Sequence, residues 1–551
     1  MTMNIEFNKN EDAMKMSLSM MQTRLEKIYE GGGKKAIQKQ KERNKLTARE
    51  RIGYLADKGK PFTEIGAFAG YEMYDEQGGC PAGGTVAGVG YVSGRQCIIV
   101  ANDQTVKAGA WFPITGKKNL RMQEIAMENH LPIIYLVDSA GVFLPMQDEI
   151  FPDKEHFGRI FRNNAVMSAM GITQIAAVMG ACVAGGAYLP IMSDETLMVD
   201  GASIYLAGPY LVKAAIGEDV DTETLGGATT HTEISGIADY KFKTEKECMD
   251  HIKKMMSMLG EKPVAGFDRI PAKQPKKNPE ELHGSFPFDG KPYDVLDIIE
   301  RIVDRSEFEQ FKEDYGKTIV CGYGRIDGWA VGIVANQRKI VKNKKGEMQM
   351  GGVIYNDSAD KAARFILNCN QKKIPLVFFQ DVTGFMVGSR SEQAGIIKDG
   401  AKMVNAVANS VVPKITIIMG NSYGAGNYAM CGKAYDPRFI YAWPSAKIAV
   451  MGGDQAAKTL LQIQTAALRS ERENQKSEIR SPKSDDEEQQ QLLEKIKSRY
   501  EKQTTPYYAA ARLWVDAIID PVETRKIISE GIAAANHNPD MREMKLGVFQ
   551  V

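Results

Sequence analysis

Residues 86–102 read VAGVGYVSGRQCIIVAN, and residues 320–336 read VCGYGRIDGWAVGIVAN. The two stretches align without a gap and are identical at 8 of 17 positions, at an offset of 234 residues from Val86 to Val320. Solenoid repeats are only about 20 to 50 residues long, so this offset predicts two whole domains of common ancestry. Two further pairs follow in the same order: LPIIYLVDSAG (131–141) with IPLVFFQDVTG (374–384), and VMGACVAGGAY (178–188) with IMGNSYGAGNY (418–428).

Length and charge narrow the class of protein. A chain of 551 residues is too long for one core, and two domains fit the usual domain sizes. We place their boundary in the polar, proline-containing stretch 272–289, which gives domains 1–275 and 276–551. Lys and Arg (70) nearly balance Asp and Glu (69), so the chain lacks the basic field that nucleic-acid binding requires, and we expect no nucleic-acid partner.

The cysteines and the N-terminus indicate a compartment. Seven scattered cysteines without a CxxC pair argue against a disulfide framework or a zinc site and favour a reducing environment. The first residues, MTMNIEFNKNEDAMK, carry acids and lack the apolar run of a signal peptide, and no long uninterrupted apolar stretch follows. We therefore predict a cytoplasmic protein without direct membrane insertion.

Apolar patterning predicts the α/β class. Continuous apolar runs of buried-strand length alternate with helical windows, which is typical of α/β proteins. The polar segment 469–503 is predicted to be a surface helical hairpin or a partner contact. The predicted strands are 133–137, 175–179, 376–379 and 415–419, and the predicted helices are 12–56, 163–170 and 358–370.

Two glycine-rich segments form the predicted chemical centre. The first glycine turn is CVAGGAY (182–188), and the second glycine turn is SYGAGNY (422–428). Small residues let a substrate approach the backbone, and free N–H groups at a helix start stabilise a developing negative charge. A single turn of this kind is more often a device for close helix packing. Because each follows an Asp-x-x-Gly motif (138–141 and 381–384), we predict two oxyanion sites.

Neither glycine turn contains a histidine or a carboxylate, although acid–base catalysis usually needs one. The six histidines form no pair at metal-ligand spacing, and we expect no metal in this chain. The protein therefore supplies electrostatics and positioning while a cofactor does the proton chemistry. Asp138 and Asp381 remain candidate bases, but an Asp at the end of a buried strand is more often a structural cap.

Long, ordered blocks carry a family resemblance. Among them are EGGGKKAIQKQKERNKLTARERI (30–52), FGRIFRNNAVMSAMGITQIAAVMGACVAGGAYLPIMSDE (157–195), TGFMVGSRSEQAGIIKDGAKMVNAVA (383–408) and WPSAKIAVMGGDQAA (443–457). The chain resembles the carboxyltransferase (β) subunits of biotin-dependent acyl-CoA carboxylases, especially those acting on 3-methylcrotonyl-CoA. The resemblance implies two tandem crotonase-like (ClpP/crotonase, ββα-spiral) domains.

The resemblance also implies a mechanism and partners. The N-terminal domain of such subunits binds the acyl-CoA thioester, and the C-terminal domain binds carboxybiotin on a separate carrier domain of a biotin carboxylase subunit. Carboxybiotin releases CO2, the biotin enolate takes the acyl-CoA proton, and the thioester enolate attacks CO2. The two domains meet across a dimer interface between neighbouring subunits, and the family assembles as a hexamer.

Site residues follow from the resemblance, position by position. The catalytic amides would be those of Gly185, Gly186, Gly424 and Ala425. Their register is open by one residue, because a gapless match pairs Gly185 with Ala425 whereas the family signature pairs it with Gly424. The acyl-CoA side would add Ala140, Gly141, Ser235, Gly236, Arg49 and Lys117, and the biotin side Thr383, Gly384, Phe385, Tyr423 and Gly426. Some of Arg49, Arg51, Lys117, Lys118 and Arg121 would contact coenzyme A phosphates, although each alone is more typical of a solvated surface charge.

Two features keep alternatives open. The lysine-rich segment RKIVKNKKGEMQM (338–350) resembles an insertion in the α subunit of sodium-pumping glutaconyl-CoA decarboxylase, and propionyl-, geranyl- or other acyl-CoA carboxylases also remain possible. A hydratase or a silent scaffold of the same fold would not need two matched turns. Ala13-Met14-Lys15-Met16 spells a biotin-acceptor tetrapeptide, but only 14 residues precede Lys15, too few for a carrier domain, so we predict that Lys15 lies in a helix.

Overall fold

The computed structural model describes residues 5–551 except 344–345, 454–455, 458, 461 and 463–481. Two sheets of eight strands dominate the chain. The first sheet comprises β1 Thr63–Glu64, β2 Thr85–Val92, β3 Arg95–Asn102, β4 Ile133–Ser139, β5 Gln174–Val183, β6 Glu195–Val199, β7 Ser203–Tyr205 and β8 Tyr240–Phe242.

The second sheet repeats this arrangement further along the chain. Its strands are β9 Phe308–Gln310, β10 Ile319–Ile326, β11 Trp329–Asn336, β15 Leu376–Val382, β17 Lys414–Tyr423, β18 Phe439–Ala442, β19 Lys447–Ala449 and β20 Ala517–Ile518. Between them lie two small pairs: β12 Val341–Lys342 with β13 Met348–Gln349, and β14 Val353–Ile354 with β16 Gly384–Phe385.

The two sheets have the same strand order and the same directions. The first runs β1-β2-β3-β4-β5-β6-β8 with β7 beside β5, and the second runs β9-β10-β11-β15-β17-β18-β20 with β19 beside β17. In both, the first three strands are antiparallel and the rest are parallel. This identity of topology confirms the duplication that the sequence predicts. The domain boundary near residue 275 stays a prediction.

Helices cover both sheets. They are α1 Ile5–Tyr29, α2 Lys34–Glu42, α3 Ala48–Leu55, α4 Pro113–Asn129, α5 Phe157–Ala169, α6 Tyr188–Ile191, α7 Pro209–Ile216, α8 Thr222–Gly226, α9 Glu245–Met258, α10 Leu282–Ser285, α11 Val295–Ile299, α12 Asn356–Gln371, α13 Ser389–Gln393, α14 Ile396–Ala408, α15 Gly424–Ala429, α16 Pro482–Thr504, α17 Pro506–Ala511 and α18 Thr524–Asn536.

Local sequence explains where several of these elements begin and end. The predicted helical region 12–56 is helical but divides into α1, α2 and α3, with a first break at the glycines 31–33. Thr47 caps α3 in a reciprocal capping box with Glu50, which satisfies two N–H groups at the helix start. Lys15 lies within α1, as predicted. Of the predicted polar hairpin 469–503, residues 469–481 lie outside the described part, and residues 482–503 lie in α16.

The central strands form the core. All seven residues of β4 and all seven of β15 are buried, as expected for parallel strands covered on both faces. One apolar cluster runs through both halves, from Val86 and Ile134 in the first sheet to Phe379 and Ile417 in the second. The halves therefore share a continuous core, and the carboxyl ends of β4, β5, β15 and β17 present the segments that the repeat marks out.

Candidate active site

In each half, the strand that contains the aspartate of Asp-x-x-Gly has an irregular pairing with the next strand of the sheet, and the irregularity lies at that aspartate. A Cβ built on Gly180, in β5, would lie 2.1 Å from Oδ1 of Asp138, and one built on Gly420, in β17, would lie 2.6 Å from Cγ of Asp381. Each carboxyl group thus fills the space that a glycine leaves in the next strand. The strand pairing shifts by two extra residues at both places, from Val137↔Val178 to Ser139↔Cys182 and from Gln380↔Ile418 to Val382↔Ser422.

The asparagine that closes each copy of the repeated VAN sequence supports the same acid. The N–H of Asp138 donates to Oδ1 of Asn102 at 3.3 Å, and the N–H of Asp381 donates to Oδ1 of Asn336 at 3.1 Å. Sequence reasoning used this motif only as evidence of ancestry. The repeat itself was the available signal, because a polar residue buried at the end of an apolar strand needs a hydrogen-bond partner.

The two glycine turns have the same backbone course. Ala184 and Gly424, each the first residue after its strand, both adopt a left-handed conformation, with φ of 55° and 53°. Gly186 lies against the Cα of Gly141, and Gly426 lies against the Cα of Gly384. The gapless register is therefore the structural one: Ala184 matches Gly424, Gly185 matches Ala425 and Gly186 matches Gly426.

The backbone amides of the glycine turns differ from those of the preceding loops in whether they already have a hydrogen-bond partner. The first glycine turn opens a 3-10 helix, Ala184–Ala187, whose i→i+3 bonds leave the N–H of Gly185 without a partner in the helix. The second opens α15, an α-helix, which leaves the N–H groups of Ala425 and Gly426 without one.

The preceding loops are different. The N–H of Ala140 donates to the carbonyl of Ala108 at 3.1 Å, and that of Gly141 to Oγ of Ser139 at 3.1 Å. The N–H of Thr383 donates to the carbonyl of Gly352 at 2.8 Å. In this conformation the helix-start amides of the turns, rather than these loop amides, are the ones left for a ligand.

The two strand-end acids are buried and engaged, with exposed fractions of 1% for Asp138 and 3% for Asp381. Asp138 is paired with Arg51 at 3.0 Å and Lys45 at 3.1 Å. Asp381 accepts the N–H of Asn421 at 2.9 Å and the hydroxyl of Tyr293 at 3.1 Å, and Nε of Arg338 lies 3.3 Å away. Burial raises the pKa of Asp381. This geometry favours the structural interpretation of the two acids over a role as base.

Three of the five predicted phosphate-binding cations lie in the interior, so the expectation of exposed charges is wrong for them. Arg51 also pairs with Glu245, at 2.6 Å. Lys118 is fully buried and donates to three backbone carbonyls, those of Gly66, Ala82 and Thr85. Arg121 is paired with Asp516. Each of these cations already has its acceptors, which leaves none of them for a phosphate.

Arg49 and Lys117 are nearer the surface. Nη1 and Nη2 of Arg49 donate to the two carboxylate oxygens of Glu64, at 2.7 and 2.9 Å, and the guanidinium group stacks on the ring of Tyr29. Lys117 donates to the carbonyl of Arg512 at 2.8 Å, and burial lowers the pKa of its amine. Contact of either residue with coenzyme A stays a prediction.

Ser235 and Gly236 lie one strand away from the first glycine turn. Oγ of Ser235 is 2.8 Å from Nδ1 of His231, and Nε2 of His231 is 2.7 Å from the carbonyl of Ile204 in β7. Because a carbonyl oxygen only accepts hydrogen bonds, Nε2 carries the proton in the neutral ring. Nδ1 then accepts a hydrogen bond from the hydroxyl of Ser235. Ile204 pairs with Cys182, at the start of the turn. Sequence reasoning missed His231, although its four-residue spacing from Ser235 is the signal.

On the second side, Thr383, Gly384 and Phe385 are held by the segment that follows the lysine-rich stretch. Strand β16 pairs with β14, and the ring of Phe385 contacts Gly400 of α14. Tyr423 is 9% exposed, and burial raises the pKa of its hydroxyl to about 12. The lysine-rich segment itself forms the β12–β13 hairpin.

Within the part of the chain that the structure describes, no group of three or more His, Cys, Asp or Glu side chains is placed to hold a metal ion. In the same residues, no helix combines the length and the apolar composition of a membrane span.

Comparison with known proteins places these features in a family. The model of the carboxyl transferase domain matches residues 39–547. The mitochondrial methylcrotonoyl-CoA carboxylase beta chain of Arabidopsis thaliana is 47% identical over 99% of this chain and 90% of its own length. The biotin-dependent 3-methylcrotonyl-coenzyme A carboxylase beta1 subunit of Mycobacterium tuberculosis is 47% identical over 95% and 94%.

A solved structure shows the same fold. The beta subunit of Pseudomonas aeruginosa geranyl-CoA carboxylase superposes with a TM-score of 0.85 at 37% identity, over 100% of this chain and 99% of that one. Because the likeness spans both halves, it confirms the predicted fold class of two tandem crotonase-like domains.

Proposed function

Because the chain belongs to the carboxyl transferase domain family, we propose that it is the carboxyltransferase subunit of a biotin-dependent acyl-CoA carboxylase, with 3-methylcrotonyl-CoA as its acyl substrate. The product would be 3-methylglutaconyl-CoA. The observation that supports this most directly is the pair of equivalent glycine turns, one in each half of the chain.

The first glycine turn provides the acyl-CoA side. The helix-start amide of Gly185 suits a thioester oxygen that gains negative charge when the γ carbon of the acyl group loses a proton. A Cβ on Gly185 would lie 2.6 Å from the ring of Phe157, so this ring can pack against the turn only because residue 185 is glycine. Ser235, fixed by His231, adds an exposed hydroxyl nearby.

The second glycine turn fits the ureido group of biotin. A Cβ on Gly426 would lie 2.6 Å from Cγ2 of Val382 and 3.3 Å from the Cα of Gly384, so the turn packs closely and presents backbone rather than side chain. Ala425 is exposed beside it. When bound, carboxybiotin supplies the carboxyl group and then the base for the acyl-CoA proton. The chain's own contribution is to hold an oxygen at the Ala425 and Gly426 amides and so to stabilise its negative charge.

Substrate and direction follow the relatives. Two relatives at 47% identity carry the name methylcrotonyl-CoA carboxylase, whereas the geranyl-CoA enzyme is 37% identical. A short branched enoyl-CoA is therefore the substrate we propose, with carboxylation as the direction in the cell. The seven cysteines are buried free thiols, which fits the cytoplasmic location predicted from the sequence.

Partners are required for the full reaction. The carrier domain that delivers carboxybiotin would belong to a separate biotin carboxylase subunit. The surface next to the first glycine turn also favours assembly with further copies of this chain: α7 has no buried residue, and Tyr210, Ile216 and Ile234 are 92%, 72% and 80% exposed. Apolar surface of this extent marks interaction sites, so we propose a homo-oligomer in which the first-half site of one chain meets the second-half site of a neighbour, and a hexamer as the assembly.

The test uses the reverse reaction, which needs no biotin carboxylase. The purified chain, given free biotin and 3-methylglutaconyl-CoA, is expected to release CO2 and form 3-methylcrotonyl-CoA, measured by mass spectrometry. Methylmalonyl-CoA serves as the competing substrate. Release that does not depend on biotin, or a preference for methylmalonyl-CoA, would contradict the proposal.

A further inference from the structure

The two buried acids beneath the glycine turns are compensated by different cations. Asp138 is matched by Arg51 and Lys45, which come from the N-terminal helical region. Asp381 is matched by Arg338, the first residue of the lysine-rich segment. We propose that Arg338 is a positioning residue of the biotin-side site, acting through Asp381 on the second glycine turn. This inference rests on the proposed function above.

Contacts lead from Arg338 to the turn in two directions. In the first, Arg338 pairs with Asp381, and Oδ1 of Asp381 accepts the N–H of Asn421 at 2.9 Å. Asn421 lies near the end of β17, three residues before Gly424. The guanidinium also lies directly on Gly352, because a Cβ built there would be 2.1 Å from Nη1. The carbonyl of Gly352 accepts both the N–H and the hydroxyl of Thr383, at 2.8 and 3.1 Å.

Burial makes the cation necessary. The side chain of Arg338 is 11% exposed and that of Asp381 is 4% exposed. The hydroxyl of Tyr293 and the N–H of Asn421 give the carboxylate hydrogen bonds but no opposite charge. Lys447 also acts on the carboxylate, but more weakly than Arg338. A buried charge that loses its partner takes up a proton or moves toward water. Either response would weaken the contact with Asn421 and displace the turn, and a displacement of about 1 Å already lowers turnover.

The same contacts give the lysine-rich segment a structural role. Arg338 ties its beginning to Asp381, Lys339 pairs with Asp294, and Glu347 in the hairpin pairs with Arg390 at the start of α13. The segment is thus anchored around the biotin-side loop at three points.

The experiment compares Arg338→Gln, Asp381→Asn and the double variant with the wild-type chain. We expect each single variant to lower kcat/KM for free biotin by about 10- to 100-fold while the Kd for acyl-CoA changes by less than about twofold. The double variant removes both charges together and is expected to recover most of the loss. Arg325→Gln, which breaks the ion pair of a second-half arginine with Asp268, away from the second glycine turn, is the control and should resemble the wild type.

A second readout does not depend on turnover. Amide hydrogen exchange of residues 383–386 should accelerate in Arg338→Gln, whereas residues 139–143 of the first half should keep the wild-type rate. Equal losses on the biotin and acyl-CoA sides, no recovery in the double variant, or an equal effect of Arg325→Gln would overturn the inference. A wild-type chain without biotin-dependent activity would instead contradict the proposed function, and the exchange data would still test the contact between Arg338 and the turn.

Discussion

Arg121 and Asp516 form a buried ion pair that joins the two halves of the chain. Nε and Nη2 of Arg121, on α4, donate to the two carboxylate oxygens of Asp516 at 2.9 and 2.8 Å. Lys433 lies 3.0 Å from the same carboxylate. Burial alone would raise the pKa of Asp516, but Arg121 and Lys433 outweigh it and hold that pKa well below its usual range.

Asp516→Asn should therefore destabilise the chain by about 3 to 5 kcal/mol at pH 7, because it removes the buried carboxylate that Arg121 and Lys433 share and leaves Arg121 only the more exposed Glu124, at 2.8 Å, as a counter-charge. Asp360→Asn, which breaks the partly exposed pair with Lys402, should cost less than about 1 kcal/mol. Urea unfolding measures both. A depressed carboxyl pKa contributes stability that is present above the unfolded pKa and lost as pH falls, so the gap between wild type and Asp516→Asn should narrow below about pH 4. A gap that is constant down to pH 3 would contradict this account.

Gly420→Ala should disrupt the second site. The added methyl would overlap the Asp381 carboxyl group at 2.6 Å, and overpacking of a buried site costs about 1 to 3 kcal/mol. Biotin-dependent turnover should fall because the methyl group disturbs the irregular pairing of β15 with β17, which positions the second glycine turn. Gly53→Ala is the control: its position in α3 is exposed and has no atom within 4 Å of the new methyl, so thermal stability should be unchanged or slightly higher.

Ala184 and Gly424 allow a reciprocal exchange. Both have φ near 55°, where a non-glycine residue is strained by about 1 kcal/mol. Ala184→Gly should relieve that strain, while Gly424→Ala should introduce it and bring a methyl to 2.8 Å from the carbonyl of Val450. Thermal unfolding and turnover of the two variants should change in opposite directions. Destabilisation by Ala184→Gly comparable to that of Gly424→Ala would show that the two positions are not equivalent.

His283→Gln tests a pH dependence of stability. Nε2 of His283, on α10, lies 2.7 Å from Oδ1 of Asp520, and this hydrogen bond raises the pKa of the imidazole above 6.5. The ionic contribution is fully present below pH 6.5 and is lost as pH rises through the folded-state pKa. At pH 6 the free energy of unfolding of the wild type should therefore exceed that of the variant by up to about 1 kcal/mol, and the difference should be smaller at pH 9. Urea denaturation at the two pH values measures it. A difference that grows with pH would have the wrong sign.

The repeat made much of this structure predictable. Because the VAN, Asp-x-x-Gly and glycine-turn segments recur in one order, they predicted two domains, their buried strands and both turns before any contact was known. The sequence leaves the alignment of the two glycine turns open by one residue. The structure resolves it, because Ala184 and Gly424 share a left-handed backbone conformation although the residues differ.

Long-range partners of charged groups were not predictable. Arg51 and Lys118 were expected at the surface, because charged residues are rarely buried unless paired, and their partners Glu245 and the carbonyl of Gly66 are far away in sequence. Arg338 was seen only as part of a lysine-rich insertion. Sequence periodicity reports which face of an element is apolar, but it does not report which distant carboxylate will meet a given guanidinium.

The fit of each acid against a glycine of the next strand also constrains how the chain can change over generations. Replacing Gly180 or Gly420 first brings a methyl into the Asp138 or Asp381 carboxyl group, at 2.1 or 2.6 Å. Shortening the acid first leaves a gap that a later methyl can fill. Substitutions at these two sites therefore avoid a steric overlap in one order and not in the other, and both copies of the duplication inherited this dependence on order.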